Sequence, residues 1–249
     1  MYDAIPKLSL PQKKYTHSTI GSLMLSTKKG SGTYRKIISR SHKSTDVHNP
    51  SKWKAKLNDN LVTRSQVKQS IINLQSKYIC SDTADTLSRL KLGKTLFGNQ
   101  LFKIGITDTP SCTTCYRELG TEISENITHA TYDCTFVSTI ISEITKTFFP
   151  NTNNCFFLRD IILAPTTKDH PLYEGTTGRQ LVAVIWDTFL CYIMKCRSRS
   201  KTPTAAICLH EIRSQLNRIL KILPNSKISR HIRSTAQIQC IINQAPQSI

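Results

Sequence analysis

Residues 112–134 read CTTCYRELGTEISENITHATYDC. Cys112 and Cys115 form a C-x2-C pair there, and His129 and Cys134 form an H-x4-C pair after thirteen intervening residues. Two close-spaced pairs of sulfur and imidazole donors are what a tetrahedral Zn²⁺ needs, and a site filled by four protein ligands leaves no position for a reactive water. The expected metal is therefore structural. The alternative is a set of scattered core cysteines and a surface histidine. ITHATYD holds no helix breaker, so the second pair is expected on a helix. A ββα finger has nearly the same ligand spacing, but its leucine position falls near Glu125. A base-reading helix favours Arg, Asn or Gln at its start, and here Glu118, Glu122 and Glu125 stand with Arg117 alone.

Outward from this segment, charge divides the chain into three. Residues 1–60 hold twelve Lys/Arg against three Asp/Glu, residues 61–194 twelve against twelve, and residues 195–249 ten against one. The sum is the formal net charge of +18. A neutral centre between two basic ends predicts a folded core with polyanion-binding arms. Nucleic acid suits this pattern better than an acidic membrane, because no basic amphipathic helix with bulky aromatics accompanies it. No small-molecule site is legible. Nine cysteines, without an apolar leader at the start, point to a reducing intracellular compartment, nucleus or cytoplasm.

The expected fold is mainly α: a helical domain with an embedded CCHC zinc-stapled loop-helix unit, flanked by basic, partly disordered N- and C-terminal segments. The expected division is a basic Ser/Thr-rich arm over 1–57, a helical region with the zinc site over 58–150, a helical tail region over 151–224 and a basic polar tail over 225–249. Residues 28–40, KKGSGTYRKIISR, place Lys28, Lys29, Arg35, Lys36 and Arg40 around Tyr34, an aromatic able to stack on a base. The plainer reading of that stretch is a solvated linker. Val67, Ile71, Leu74 and Tyr78 recur at helical spacing, and a second helix carries Ala84, Leu87 and Leu90 from an N-cap at Ser81 to Gly93. A short helix covers 97–104. Val137, Ile140, Ile141, Ile144 and Phe148 mark the next stripe. Residues 155–165 read as a strand or a buried helical turn. The apolar run 181–194 is too short to span a bilayer and carries Asp187, so it reads as a buried helix. From Pro203 a last helix turns Ala205, Leu209, Ile212, Leu216, Ile219 and Leu223 inward, and Arg213, Arg218 and Lys221 toward water or phosphate. Cys191, Cys196, Cys208 and His210 read as core thiols and a surface histidine, since cysteines five apart on an α-helix diverge by about 140°.

Residues 85–115 together with SENITHATYDC resemble the C-terminal zinc-binding region of LINE-type (non-LTR) retrotransposon reverse transcriptases. Arg89, Leu90, Gly93, Leu101, Gly105, Pro110, Cys112, Cys115, Glu125, His129 and Cys134 occupy the positions of that family's motif. The spacer between the pairs is longer than the family's, and Asn126 stands where the family has Thr or Ser. The resemblance implies structural Zn²⁺ on Cys112, Cys115, His129 and Cys134, and engagement of template RNA or target DNA beside a reverse transcriptase core. The chain contains no Asp-Asp dipeptide and no nuclease pattern, so it is expected not to be an enzyme. A polymerase or nuclease remnant with residual metal-dependent activity is the alternative. Lys28, Lys29, Tyr34, Arg35, Lys36, Arg40, Arg197, Arg199, Lys201, Arg230 and Arg233 are the expected nucleic-acid contacts.

Overall fold

The computed structural model describes residues 49–74, 76–79, 81–150, 156–163 and 175–243. All of them belong to the unit Asp46–Ile249; the unit Met1–Thr45 lies outside the described residues. Lys28, Lys29, Tyr34, Arg35, Lys36 and Arg40 therefore also lie outside them.

The described residues form helices joined by turns and loops. In chain order the helices are α1 (Pro50–Leu57), α2 (Arg64–Leu74), α3 (Ser81–Lys91), α4 (Gly98–Lys103), α5 (Thr113–Leu119), a π-helical turn (His129–Asp133), α6 (Thr135–Phe148), α7 (Leu158–Ile162), α8 (Gly175–Ser198), α9 (Ala205–Ile222), α10 (Lys227–Ser234) and α11 (Ala236–Asn243). Among the described residues the only β-pairing is an isolated bridge between Ser111 and Ser124.

Helix α8 is the axis of the fold. Leu181 to Asp187 and Phe189 to Met194 are all buried, so this helix has no polar stripe along that stretch. A helix apolar on every side must be covered on every side, and α3, α7, α9 and α10 cover it. Each fully buried Leu, Ile or Phe contributes about 1.5–3 kcal/mol of transfer free energy, and Leu181, Ile185, Phe189 and Leu190 are all 0% exposed. Trp186 anchors an aromatic cluster with Phe149 (6.0 Å, stacked), Phe156 (5.0 Å, edge-on) and Phe189 (5.7 Å, edge-on). No described helix is long and apolar enough to cross a membrane.

The other helices are amphipathic. Helix α6 buries Val137, Ile140, Ile144 and Phe148, with Ile141 half-buried at the edge. Helix α9 buries Cys208, Ile212, Leu216 and Ile219; Ala205, Leu209 and Leu223, expected inside, are half-buried at its margins. Helix α3 ends at Gly93, whose φ of +65° favours glycine. Lys56 Nζ donates to the Gly93 carbonyl at 2.6 Å and Lys52 Nζ to Leu92 at 3.4 Å, so two cations of α1 cap the negative end of α3.

Of the two readings of residues 155–165, the buried helical turn is the one formed, as α7. Two expectations change. Residues 225–243 are not a polar tail. They form α10 and α11, whose Ile228, Ile232, Ile238 and Ile241 are buried against α8, α9 and α6. Nor does 1–57 end as an arm, since Trp53 and Leu57 of α1 are 3% and 6% exposed. Packing also crosses the expected division at 150/151: α6 meets α9 and α3 meets α8.

Candidate metal centre

The segment that carries the four candidate ligands begins as a short paired loop. Cys112 N–H donates to the Ile123 carbonyl and Glu125 N–H to the Pro110 carbonyl, both at 2.8 Å. These bonds hold the two ends of the loop together around α5. Cys112 stands at the N-cap of α5 and Cys115 in its first turn, where the helix dipole favours a thiolate. Gly120, at φ +64°, closes α5, so the longer spacer is a capped helix plus a return to Ser124. A ββα arrangement is not what this segment forms, because a helix begins between the first two ligands.

The second pair depends on a change of helical pitch. On an α-helix His129 and Cys134 would point about 140° apart. Instead the chain takes a π turn over His129–Asp133, and Cys134 N–H donates to the His129 carbonyl at 3.0 Å. That i→i+5 bond stacks the first residue on the sixth, which brings imidazole and thiol to one side. Asn126 starts the turn, its Oδ1 accepting from His129 N–H at 2.8 Å. Asn, Ser and Thr are interchangeable in that N-cap role.

The ligand atoms of Cys112, Cys115, His129 and Cys134 lie within 4.8 Å of one another, and all four residues are buried. Cys115 Sγ is 3.4 Å from His129 Nε2 and 3.5 Å from Cys134 Sγ. A tetrahedral ion with metal–sulfur bonds of about 2.3 Å and a metal–nitrogen bond of about 2.0 Å requires edges of roughly 3.5–3.8 Å. The donor set and the spacing therefore fit a tetrahedral metal ion of soft or borderline character. A hydrogen bond with Cys134, and then burial, push the Cys112 thiol up to about 11. Burial above all raises Cys115, and the bond from Cys112 lowers Cys134. Binding a metal here must displace thiol protons.

Polar bonds tie this loop to the end of the central helix. Glu125, 7% exposed, accepts from Gly98 N–H at 3.0 Å through Oε2. The same carboxylate pairs with Arg197, whose Nε donates to Oε1 at 2.8 Å and whose Nη2 donates to Oε2. The Arg197 guanidinium also lies 4.7 Å over the Phe97 ring. Farther out, Arg117 donates to the Ser200 carbonyl and to Thr202 Oγ1, each at 2.6 Å, and Thr202 Oγ1 donates to Glu118 at 2.5 Å.

Arg197, expected to contact phosphate, is thus directed into the protein and neutralised by Glu125. Of the other described candidates, Arg199, Lys201, Arg230 and Arg233 are exposed, and Arg233 Nη1 donates to the Pro224 carbonyl at 3.0 Å. Cys191, Cys196 and Cys208 are buried core thiols, and His210 is exposed. Among the described residues, 112, 115, 129 and 134 form the one Cys/His/carboxylate group close enough to hold a metal ion. Sequence spacing did not reveal the partnership of Glu125 with Arg197, because the two stand 72 residues apart and either charge reads equally well as a solvated surface group. No family model, curated protein or solved structure matches the chain.

Proposed function

We propose that the chain is a zinc-stapled helical module that binds RNA or DNA, the role implied by its resemblance to the C-terminal region of non-LTR retrotransposon reverse transcriptases. Zinc is the ion best matched to three thiolates and one imidazole in a buried tetrahedral site. With four protein ligands the metal is architectural, and the module is not itself catalytic.

The observation that carries the nucleic-acid reading is the separation of charge. Of the three glutamates of the metal loop, Glu125 is buried against Arg197, Glu118 is bonded at the surface to Arg117 and Thr202, and Glu122 is exposed. Of the eight basic residues beyond residue 198, Arg199, Lys201, Lys221, Lys227, Arg230 and Arg233 are exposed, and Arg213 and Arg218 are half-buried. Glu211 is the single acid from residue 195 onward. Such a surface attracts phosphate and releases condensed counterions on contact.

Fluorescence anisotropy of the full chain against labelled 20-nucleotide RNA and DNA tests this. Affinity should fall linearly with salt on a log–log plot, with a slope of roughly −0.7 to −0.9 for each phosphate contact. Absence of binding at low salt, or binding indifferent to salt, would overturn the reading. Mg²⁺-dependent cleavage or primer extension by the purified chain would overturn its non-catalytic part.

A further inference from the structure

Helix α9 carries a second pattern on the side away from its buried stripe. His210, Arg213, Ser214, Asn217, Arg218 and Lys221 follow one another at alternating intervals of three and one residues and line one open groove, the spacing of a single helix face. Ile242 of α11 belongs to the same lining. The groove's volume of about 550 Å³ is within the range of ligand sites, which are usually apolar. Six of the eight residues lining this one carry polar side chains, with Ile222 beside Ile242 completing a wall that is still largely apolar in area. The only acid of α9, Glu211, is not part of it.

Arg218 is already held in place. Its Nε donates to Gln215 Oε1 at 3.0 Å and its Nη2 to the Tyr78 carbonyl at 3.2 Å. Gln215 Nε2 donates to that same carbonyl at 2.6 Å. A guanidinium has five N–H donors, so these bonds fix its plane and leave it further donor capacity. Ordering it before a ligand arrives lowers the entropy cost of binding. From His210 to Lys221 the face spans about 17 Å. That is the rise of roughly five nucleotides of one duplex strand at about 3.4 Å each.

We infer that this face of α9 is the track for the phosphodiester backbone of a nucleic-acid strand, with Arg213, Arg218 and Lys221 as its cationic contacts and Asn217 and Ser214 as neutral donors between them. The inference rests on the nucleic-acid reading given above and places the contact on α9 instead of on Arg197. Contacts to phosphate carry no sequence information, so binding made through them is insensitive to sequence.

The test compares two variants of the full chain with equal net charge. One carries Arg213→Gln, Arg218→Gln and Lys221→Gln; the other carries Lys68→Gln, Lys94→Gln and Lys103→Gln, three exposed lysines on or beside other helices. Against a labelled 20-nucleotide DNA or RNA, the first should flatten the log–log salt slope by about 2 to 3, at about 0.7–0.9 per contact. The second should keep the wild-type slope. Lys221→Gln alone, at an exposed position in the last turn of α9, should flatten it by about 0.7–0.9 with an unchanged circular dichroism spectrum, so a folding defect in the triple variant leaves the question answerable. Equal slopes for the two triple variants, with the wild type binding steeply, would overturn the α9 track and leave nucleic-acid binding standing. Failure of the wild type to bind would overturn both.

Discussion

Lys91 of α3 and Asp187 of α8 form an ion pair at 1% and 3% side-chain exposure. Burial works to raise the Asp187 carboxyl while the Lys91 charge works to lower it. Two charges taken out of water recover their desolvation cost only through each other. Lys91→Met should therefore leave an uncompensated buried carboxylate and lower stability by about 3–5 kcal/mol, whereas Lys91→Met with Asp187→Leu should be near neutral or stabilising. Urea unfolding of the two variants and the parent checks this; equal losses for single and double variants would show that the pair is no mutual compensation. The sequence made Asp187 visible only as a charge that spoils a membrane span. Its partner was not legible, because Lys91 sits at the C-terminal end of α3, where a lysine is ordinarily a solvated complement to the helix dipole. The same limit hid Arg197. Basic residues at a helix end look alike in sequence, and only packing shows that one reaches back to Glu125 while Arg199 and Lys201 stay in water.

At the scale of elements, periodicity was a dependable guide where one face is apolar and the other polar, as in α2, α3, α6 and α9. It carried less at both extremes. Helix α8 is apolar all round for two turns and more, so its burial was readable but its neighbours were not. Helices α10 and α11 put isoleucines at 228, 232, 238 and 241 among Lys, Arg, Gln and Ser, and their shortness let composition outweigh the pattern. The π turn was hidden in plain spacing: H-x4-C on a regular α-helix cannot converge on one ion, so ligand chemistry itself demanded a locally wider turn. Asn126 starts that turn through its side-chain cap. Asn126→Ala should cost about 1 kcal/mol and Asn126→Ser only a few tenths, with metal retention following the same order. Thermal unfolding with parallel metal analysis of both variants measures it. An Asn126→Ser protein as weak as Asn126→Ala would mean that the cap is not what the turn relies on.

Across the whole molecule the segment with the four candidate ligands works as a clamp between α6 and α7 and the end of α8. Its π turn packs on α6 and α7, while Arg117, Glu118 and Glu125 grip the end of α8 and the link to α9. Removing the metal should therefore loosen residues 112–134 and 197–204 together. The α2–α3 pair, which meets the rest of the fold through α1 and α8, should keep its protection. Hydrogen exchange before and after chelation reads this directly, and a loss confined to 112–134 would show that the polar ties to α8 carry no coupling. The basic face of α9 follows immediately on that link, so the clamp also sets where the proposed phosphate track stands.

The clamp depends on one occupied site. Structural zinc in peptides contributes about 10–16 kcal/mol at neutral pH, enough to keep the ion through purification without added metal. Elemental analysis of the full chain, purified under reducing conditions beside a His129→Ala variant, is the direct measurement. The account predicts one zinc per parent chain and a large loss in the variant; a parent chain free of zinc, or a variant that holds as much, would contradict it.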